Sequence, residues 1–216
     1  KAFDKVNNSL KSNLINIDNH STEIYTTFQE SAENSPDKVG NAWKLAQDVR
    51  SHASEVRLFI SDLKALLIAN TGGYKEDSKK LAGADNKSKV SHTLLMKPEL
   101  MGEKFRIKLD SFRVYLNTLE VVHTVEELEY IVDHNFDTKD IIKDGLPVSW
   151  EEGTFNNVPL IAVLTFLTQY QVDCSTIESK IVDALYSSVS ADDMKFTTAV
   201  AQVLSPKTYI MQGDSF

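Results

Sequence analysis

One stretch of the sequence repeats apolar residues at alternating spacings of three and four without a break. The positions are Val39, Ala42, Ala46, Val49, Ala53, Val56, Ile60, Leu63 and Leu67. Only a helix brings such positions onto one face, and a helix from about Pro36 to Asn70 is about 50 Å long at 1.5 Å per residue. Pro36 suits the first helical position, and Gly72 and Gly73 suit its end. The sequence therefore predicts a rod rather than a compact globule.

The same spacing recurs in three further segments, at about residues 2–31, 98–119 and 159–185. The third helix either continues through Leu128 or restarts near Thr124, and the spacing of Thr124 to Glu127 fits a capping box, which favours a restart. Helices with such spacing pack near parallel, at about +20°, as in four-helix bundles. Residues 72–98 are rich in lysine and poor in apolar anchors, so we expect an exposed, partly mobile connection there. The predicted fold class is all-α, an elongated four-helix bundle.

A change of period marks the last part of the chain. Phe196, Thr198, Val200 and Gln202 alternate with residues of the opposite face, as in a strand, and a second short run from Thr208 to Met211 comes before a turn signal. A strand and a half cannot close a sheet. We therefore expect a helical domain over 1–192, followed over 193–216 by the first strands of a truncated β-sandwich-like domain. The chain is then a piece of a longer protein.

Charge and composition exclude several classes of partner. The formal net charge is −8, whereas nucleic acids and anionic membrane surfaces attract basic proteins. No run of about 18 apolar residues is present, so no membrane span is predicted. The single cysteine, Cys174, lies on the apolar stripe of the last helix and is interpreted as a small buried hydrophobe.

No motif in the chain predicts catalysis. Asp133, Asn135 and Asp137 resemble the start of a calcium loop, but Thr138 stands where that loop needs glycine. The five histidines never pair at helical spacing, although ligands collected from different helices stay possible for zinc or calcium. Phosphate-binding and nucleophile motifs are also missing. The sequence predicts no enzyme, no cofactor and no small-molecule substrate.

Three large aromatic residues are the candidate site residues. Trp43 lies beside the apolar stripe of the second helix, so it packs against the irregular segment 134–157 or against a partner chain. Trp150 and Phe155 lie within that irregular segment. We interpret them as a plug at the end of the bundle, with an exposed partner contact as the alternative.

Two segments resemble a known family. The run from Trp150 to Ala162, continuing into residues 167–173, is similar to the helical periplasmic domain of the GldM/PorM family, and residues 203–214 resemble the join to that family's next, β-rich domain. Residues 2–7 and 41–64 fit the paired helices that follow the family's membrane anchor. The resemblance covers nearly the whole chain and is weakest at 72–98.

The resemblance implies a role in the type IX secretion and gliding motility motor. The chain would be a periplasmic domain of a protein anchored in the inner membrane, forming a homodimer in the full-length protein. Its partners would be a GldL/PorL-like motor protein in the inner membrane and, through later domains, an outer-membrane-associated lipoprotein or ring complex. The alternative is a ligand-sensing helical bundle of a membrane receptor, since that class also places long helices next to a membrane.

Overall fold

The structure is a computed structural model that describes residues 2–76, 80–143 and 145–203, with side chains from residue 5 to residue 190 within those ranges. The described chain forms eight helices and one two-stranded antiparallel sheet, so the predicted all-α class is confirmed. The elements are α1 (Ala2–Asn34), α2 (Pro36–Asn70), α3 (Ser88–Leu95), α4 (Met101–Leu116), α5 (Glu120–Thr124), α6 (Glu126–Asn135), β1 (Ile141–Lys143), β2 (Leu146–Val148), α7 (Trp150–Phe155) and α8 (Leu160–Val203).

Three long helices form the body of the molecule, with α8 packed against both α1 and α2. α1 runs parallel to α8, because Asn7 meets Thr168 and His20 meets Asp183 further along both helices. α2 and α8 run in opposite directions. At 1.5 Å per residue, the 35 residues of α2 and the 44 residues of α8 span about 50 Å and about 65 Å. The elongated shape that the sequence predicts is therefore present.

The fourth position of the bundle is occupied by a shorter helix. α4 packs antiparallel to α2 through a Phe59–Phe105 contact, while α5 and α6 pack on α8. The chain does restart after α4, but without the expected capping box. Val125 is the residue before α6, and the Thr124 hydroxyl donates to the Val121 carbonyl instead.

Part of the segment 72–98 forms a helix that packs on the bundle, although the sequence predicts an exposed connection there. It contains α3, whose Val90 and Leu94 side chains are fully buried against the ends of α2, α4 and α7. The prediction of a connection without apolar anchors was wrong for this half of the segment. Val90 and Leu94 are four residues apart, which is a helical spacing, and the Asn86 side chain accepts the backbone N–H of Lys89 at the helix start.

The strand predicted from Phe196 to Gln202 is also wrong, because α8 continues as a helix to Val203. No glycine or proline interrupts the chain between Leu160 and Ser205, and extending an existing helix is far easier than starting a new element. A short run with a period of two, such as Phe196 to Gln202, does not distinguish a strand from a helix. The second predicted run, Thr208 to Met211, lies outside the described residues, and the domain boundary near 193 stays a prediction.

Candidate functional site

The central helix α8 buries two adjacent faces, one apolar and one polar. The predicted apolar stripe is buried from Leu160 to Leu185. A second stripe at spacings of three and four carries polar side chains that are also buried: Thr168, Gln171, Ser175 and Glu178. Sequence reasoning missed this stripe. The signal was available, since a helix start that is apolar nearly all around its circumference indicates a central position.

Glu178 is the centre of the first polar layer, and the residue is only 3% exposed. Arg57 of α2 donates to Glu178 Oε2 and, at 3.1 Å, to the Ser175 hydroxyl. The Tyr25 hydroxyl of α1 lies 3.1 Å from Glu178 Oε1, and burial together with this carboxylate raises the pKa of Tyr25 well above its ordinary value. Ser175 donates to Asp18 at 3.2 Å. This layer therefore joins α1, α2 and α8 through one buried ion pair.

A second polar layer lies about two turns away along α8 and is centred on Lys64 of α2. The Lys64 ammonium donates to Thr168 Oγ1 at 2.8 Å and to Gln171 Oε1 at 2.9 Å. Gln171 donates onward to the Ser61 hydroxyl, and the Thr168 hydroxyl lies 3.0 Å from Asn7 Oδ1 of α1. Burial lowers the pKa of Lys64 to about 8, and the positive charge of Lys11 acts in the same direction.

The shifted pKa of Lys64 predicts a pH-dependent stability. The unfolded chain, with the ordinary lysine pKa of 10.5, binds more protons than the folded chain above about pH 8. The free energy of unfolding contributed by this group therefore rises with pH between about 8 and 10.5. We expect the difference in unfolding free energy, native minus Lys64→Met, to increase from pH 7.5 to pH 9.5 in urea titrations, because the variant lacks the titrating group. A pH-independent difference would contradict the assignment.

The two layers fix how the three helices are aligned along their axes. An apolar seam tolerates sliding by a turn with little loss, whereas buried polar groups lose their partners when the register changes. Each layer contains a charged group of α2 that reaches polar groups of α8 and, through them, α1. The arrangement gives a bundle with a defined register, which is a mechanical property rather than a chemical one.

Trp43 lies on the outer side of the α1–α2 contact and is half-buried. Its aromatic neighbours are Tyr25 and Phe28 of α1, with ring centroids 6.1 and 5.5 Å away, and not the segment 134–157. It borders a surface groove of about 460 Å³, in which the Arg50 guanidinium lies 4.5 Å from the centre of the Tyr25 ring. A partner contact at Trp43 stays a prediction.

Trp150 and Phe155 are brought together by α7 and are both buried. Their rings meet edge to face at 5.6 Å, and Trp150 also packs on Phe105 of α4 and Tyr170 of α8. The Ser149 hydroxyl accepts the N–H of Glu152 and caps this short helix. The interpretation of Trp150 and Phe155 as a plug stays a prediction, and their burial among α4, α7 and α8 supports it.

The remaining sequence candidates serve structural contacts. Asp133 and Asp137, from the calcium-like motif, both pair with Arg113 at 3.4 and 3.5 Å. Cys174 is fully buried, and burial raises the pKa of its thiol above the ordinary value. Within residues 2–76, 80–143 and 145–203, no group of three or more His, Cys, Asp or Glu side chains is arranged to hold a metal ion. In the same ranges, no helix has the length and apolar composition of a membrane span.

Comparisons with known proteins agree with the helical architecture. The family model described as the GldM N-terminal domain matches residues 1–188, which is most of the chain. A comparison with curated proteins finds no match.

Proposed function

Because the chain belongs to the GldM N-terminal domain family, we propose that it transmits force in the periplasmic part of the type IX secretion and gliding motility machinery. Members of this family are membrane-anchored periplasmic proteins of that machinery. The observation that carries the proposal is the pair of polar layers, about two turns apart, that holds α1, α2 and α8 in one register within a bundle whose helix α2 is about 50 Å long. Stiffness along such a rod is what transmission requires.

The partners follow from the same proposal. The beginning of α1 points toward an inner-membrane motor protein of the GldL/PorL type, and the far end of α8 leads toward later domains and an outer-membrane-associated lipoprotein or ring complex. A second copy of the chain is proposed to cover the first half of α1. There Leu10, Leu14 and Ile17 are only half-buried, and Val6 and Ile15 are exposed. All of these except Ile15 follow the spacing of three and four that marks an apolar helix face.

If the chain transmits force, a flexible insertion in α8 should prevent force from passing from the inner-membrane motor protein to the later domains. We expect an insertion of about six glycine and serine residues after Ser187 to abolish secretion and gliding, because such a segment bends freely. The matched control is the same insertion after Thr118, in the exposed turn between α4 and α5. Secretion and cell movement are measured in cells that make the full-length protein at normal levels. Normal activity with the Ser187 insertion would contradict the proposal.

The groove beside Trp43 supports a second candidate function, ligand sensing. Its walls combine an aromatic surface with the Arg50 guanidinium and the side-chain amides of Gln29 and Gln47, which suits a small polar molecule. A saturable rise in the unfolding temperature with one member of a metabolite panel, lost in Trp43→Ala, would favour a sensor. The absence of any such ligand would leave the transmission role as the better account.

A further inference from the structure

One end of the bundle carries most of the described loops, and we call it the loop end, formed by residues 71–76, 80–98, 139–143 and 145–159. α2 ends there and α8 begins there, because the backbone N–H groups of Leu160 and Ile161 donate to the carbonyls of Asn86 and Ala84. α1 begins near the same end, since Asn7 lies beside Thr168, only about two turns into α8.

Four large apolar side chains project from the loop end into solvent. Tyr74, Met96, Ile142 and Leu146 are between 56% and 73% exposed, and they come from two segments that are distant in the sequence. Ile142 and Leu146 lie on the β1–β2 hairpin, where Ile142 pairs with Pro147 and Lys143 pairs with Leu146. Exposed apolar residues are ordinary when scattered, but a group at one end of a molecule indicates a contact surface.

The hairpin is held on a fixed base, which matters because two strands alone are only marginally stable. Asp140, just before β1, accepts a hydrogen bond from Arg106 at 2.8 Å and from the backbone N–H of Trp150 at 3.2 Å. Arg106 also pairs with Glu151 of α7 at 3.2 Å. The Ile141 side chain packs directly against Gly153 of α7, where a Cβ would overlap Ile141 Cδ1 and would displace this side chain. The exposed tip therefore projects from an anchored base.

Positive charge exceeds negative charge at the same end, in contrast to the chain as a whole. The described residues of the loop end contain seven lysines and five acidic residues, a net charge of +2, whereas the whole chain carries −8. Five of these lysines lie between residues 75 and 97, are exposed, and form no ion pair within the described part of the chain: Lys75, Lys80, Lys87, Lys89 and Lys97. The overall charge argued against an anionic surface as a partner, but its distribution leaves one basic end.

We propose that the loop end binds the surface of an anionic phospholipid bilayer. Tyr74, Met96, Ile142 and Leu146 enter the boundary between headgroups and acyl chains, and the surrounding lysines face the phosphates. The exposed apolar side chains lie beside lysines that form no ion pair within the described part of the chain. An anionic bilayer fits this combination better than a protein groove, because its acyl chains contact the apolar side chains while its phosphates contact the ammonium groups. The proposal rests on the proposed orientation, in which the beginning of α1 faces the membrane.

The test is co-sedimentation with vesicles. We expect the chain to bind vesicles of phosphatidylglycerol and phosphatidylethanolamine, to bind phosphatidylcholine vesicles at least about tenfold more weakly, and to lose binding as salt is raised. The double variant Ile142→Ser/Leu146→Ser and the charge reversal of Lys87 and Lys89 to glutamate should each weaken binding by at least about tenfold. Unchanged circular dichroism and unfolding midpoints would show that these variants fold.

The matched control is the double variant Leu58→Ser/Val114→Ser, which removes equally exposed apolar side chains from the sides of α2 and α4, at 64% and 67% exposure. It should bind vesicles like the native chain. The proposal is overturned by a native chain that does not bind anionic vesicles, by equal loss in the control, or by a photocrosslinker at Ile142 that captures a membrane protein instead of lipid. Because vesicle binding needs no secretion, its failure would leave the transmission role standing, and the insertion experiment can fail independently.

Discussion

Replacing Arg57 by alanine is expected to lower the free energy of unfolding by about 3–5 kcal/mol, because the change leaves a buried carboxylate without its partner. Glu178 is almost fully enclosed, and Arg57 is the cation that contacts it. The Tyr25 hydroxyl and Ser175 cannot compensate for the missing charge. Urea denaturation followed by circular dichroism measures the loss, with the slope of the transition checking that the two-state description still holds.

Two further variants separate the buried pair from ion pairs in general. Lys108→Ala removes an exposed pair with Glu55, and we expect the unfolding midpoint to stay unchanged within error. Replacing both Arg57 and Glu178 by methionine should restore much of the stability, because no buried charge is then left alone. If Arg57→Ala were no more disruptive than Lys108→Ala, the first polar layer would not hold the three helices together.

The fold class was predictable because the signal for it is local. In α2, eight of the nine residues of the predicted stripe are buried, and Ala42 packs against the core as a partly buried residue. Helical periodicity depends on neighbours three and four residues away, so it is visible in the sequence without knowledge of the tertiary structure.

The apolar start of α8 indicated a central helix, but the pairings within the polar layers were not predictable, since they join residues more than a hundred positions apart. Arg57 and Glu178 read singly as ordinary solvated charges on helix faces. Only the packing of α8 between α1 and α2 encloses them, and that arrangement is a tertiary property. The strand predicted at the end of α8 was wrong for the opposite reason. The local alternation from Phe196 favoured a strand, but this segment extends an existing long helix, which is easier than starting a new element.

The loop end shows a third kind of limit. A net charge of −8 summarises the chain correctly but hides a basic segment, and the exposed hairpin residues Ile142 and Leu146 look like core residues in the sequence. The net charge of the sequence is a sum over the whole surface, and only the fold shows which charges lie on the same side of the molecule. Binding predictions that rest on total charge are therefore weaker than those that rest on the charge of one end.

Truncation of Trp150 to alanine tests the plug interpretation, and we expect it to lower the free energy of unfolding by about 3–5 kcal/mol. Trp150 is 6% exposed and contacts aromatic rings of three helices, so its removal leaves a cavity among Phe105, Phe155 and Tyr170. Trp43→Ala is the matched control, with an expected loss of roughly 1 kcal/mol, because Trp43 is half-buried at the edge of α1 and α2.

The same two variants discriminate a plug from a partner contact. A plug lowers stability and leaves the affinity for partners unchanged in the fraction that folds. A partner contact does the reverse, and by its exposure Trp43 is the better candidate for that role. Both variants are measured in two ways. Denaturation gives the loss in the free energy of unfolding, and pull-down with the full-length protein gives the loss in partner binding. Stability of Trp150→Ala equal to that of Trp43→Ala would contradict the plug, since burial at the junction of α4, α7 and α8 is its physical basis.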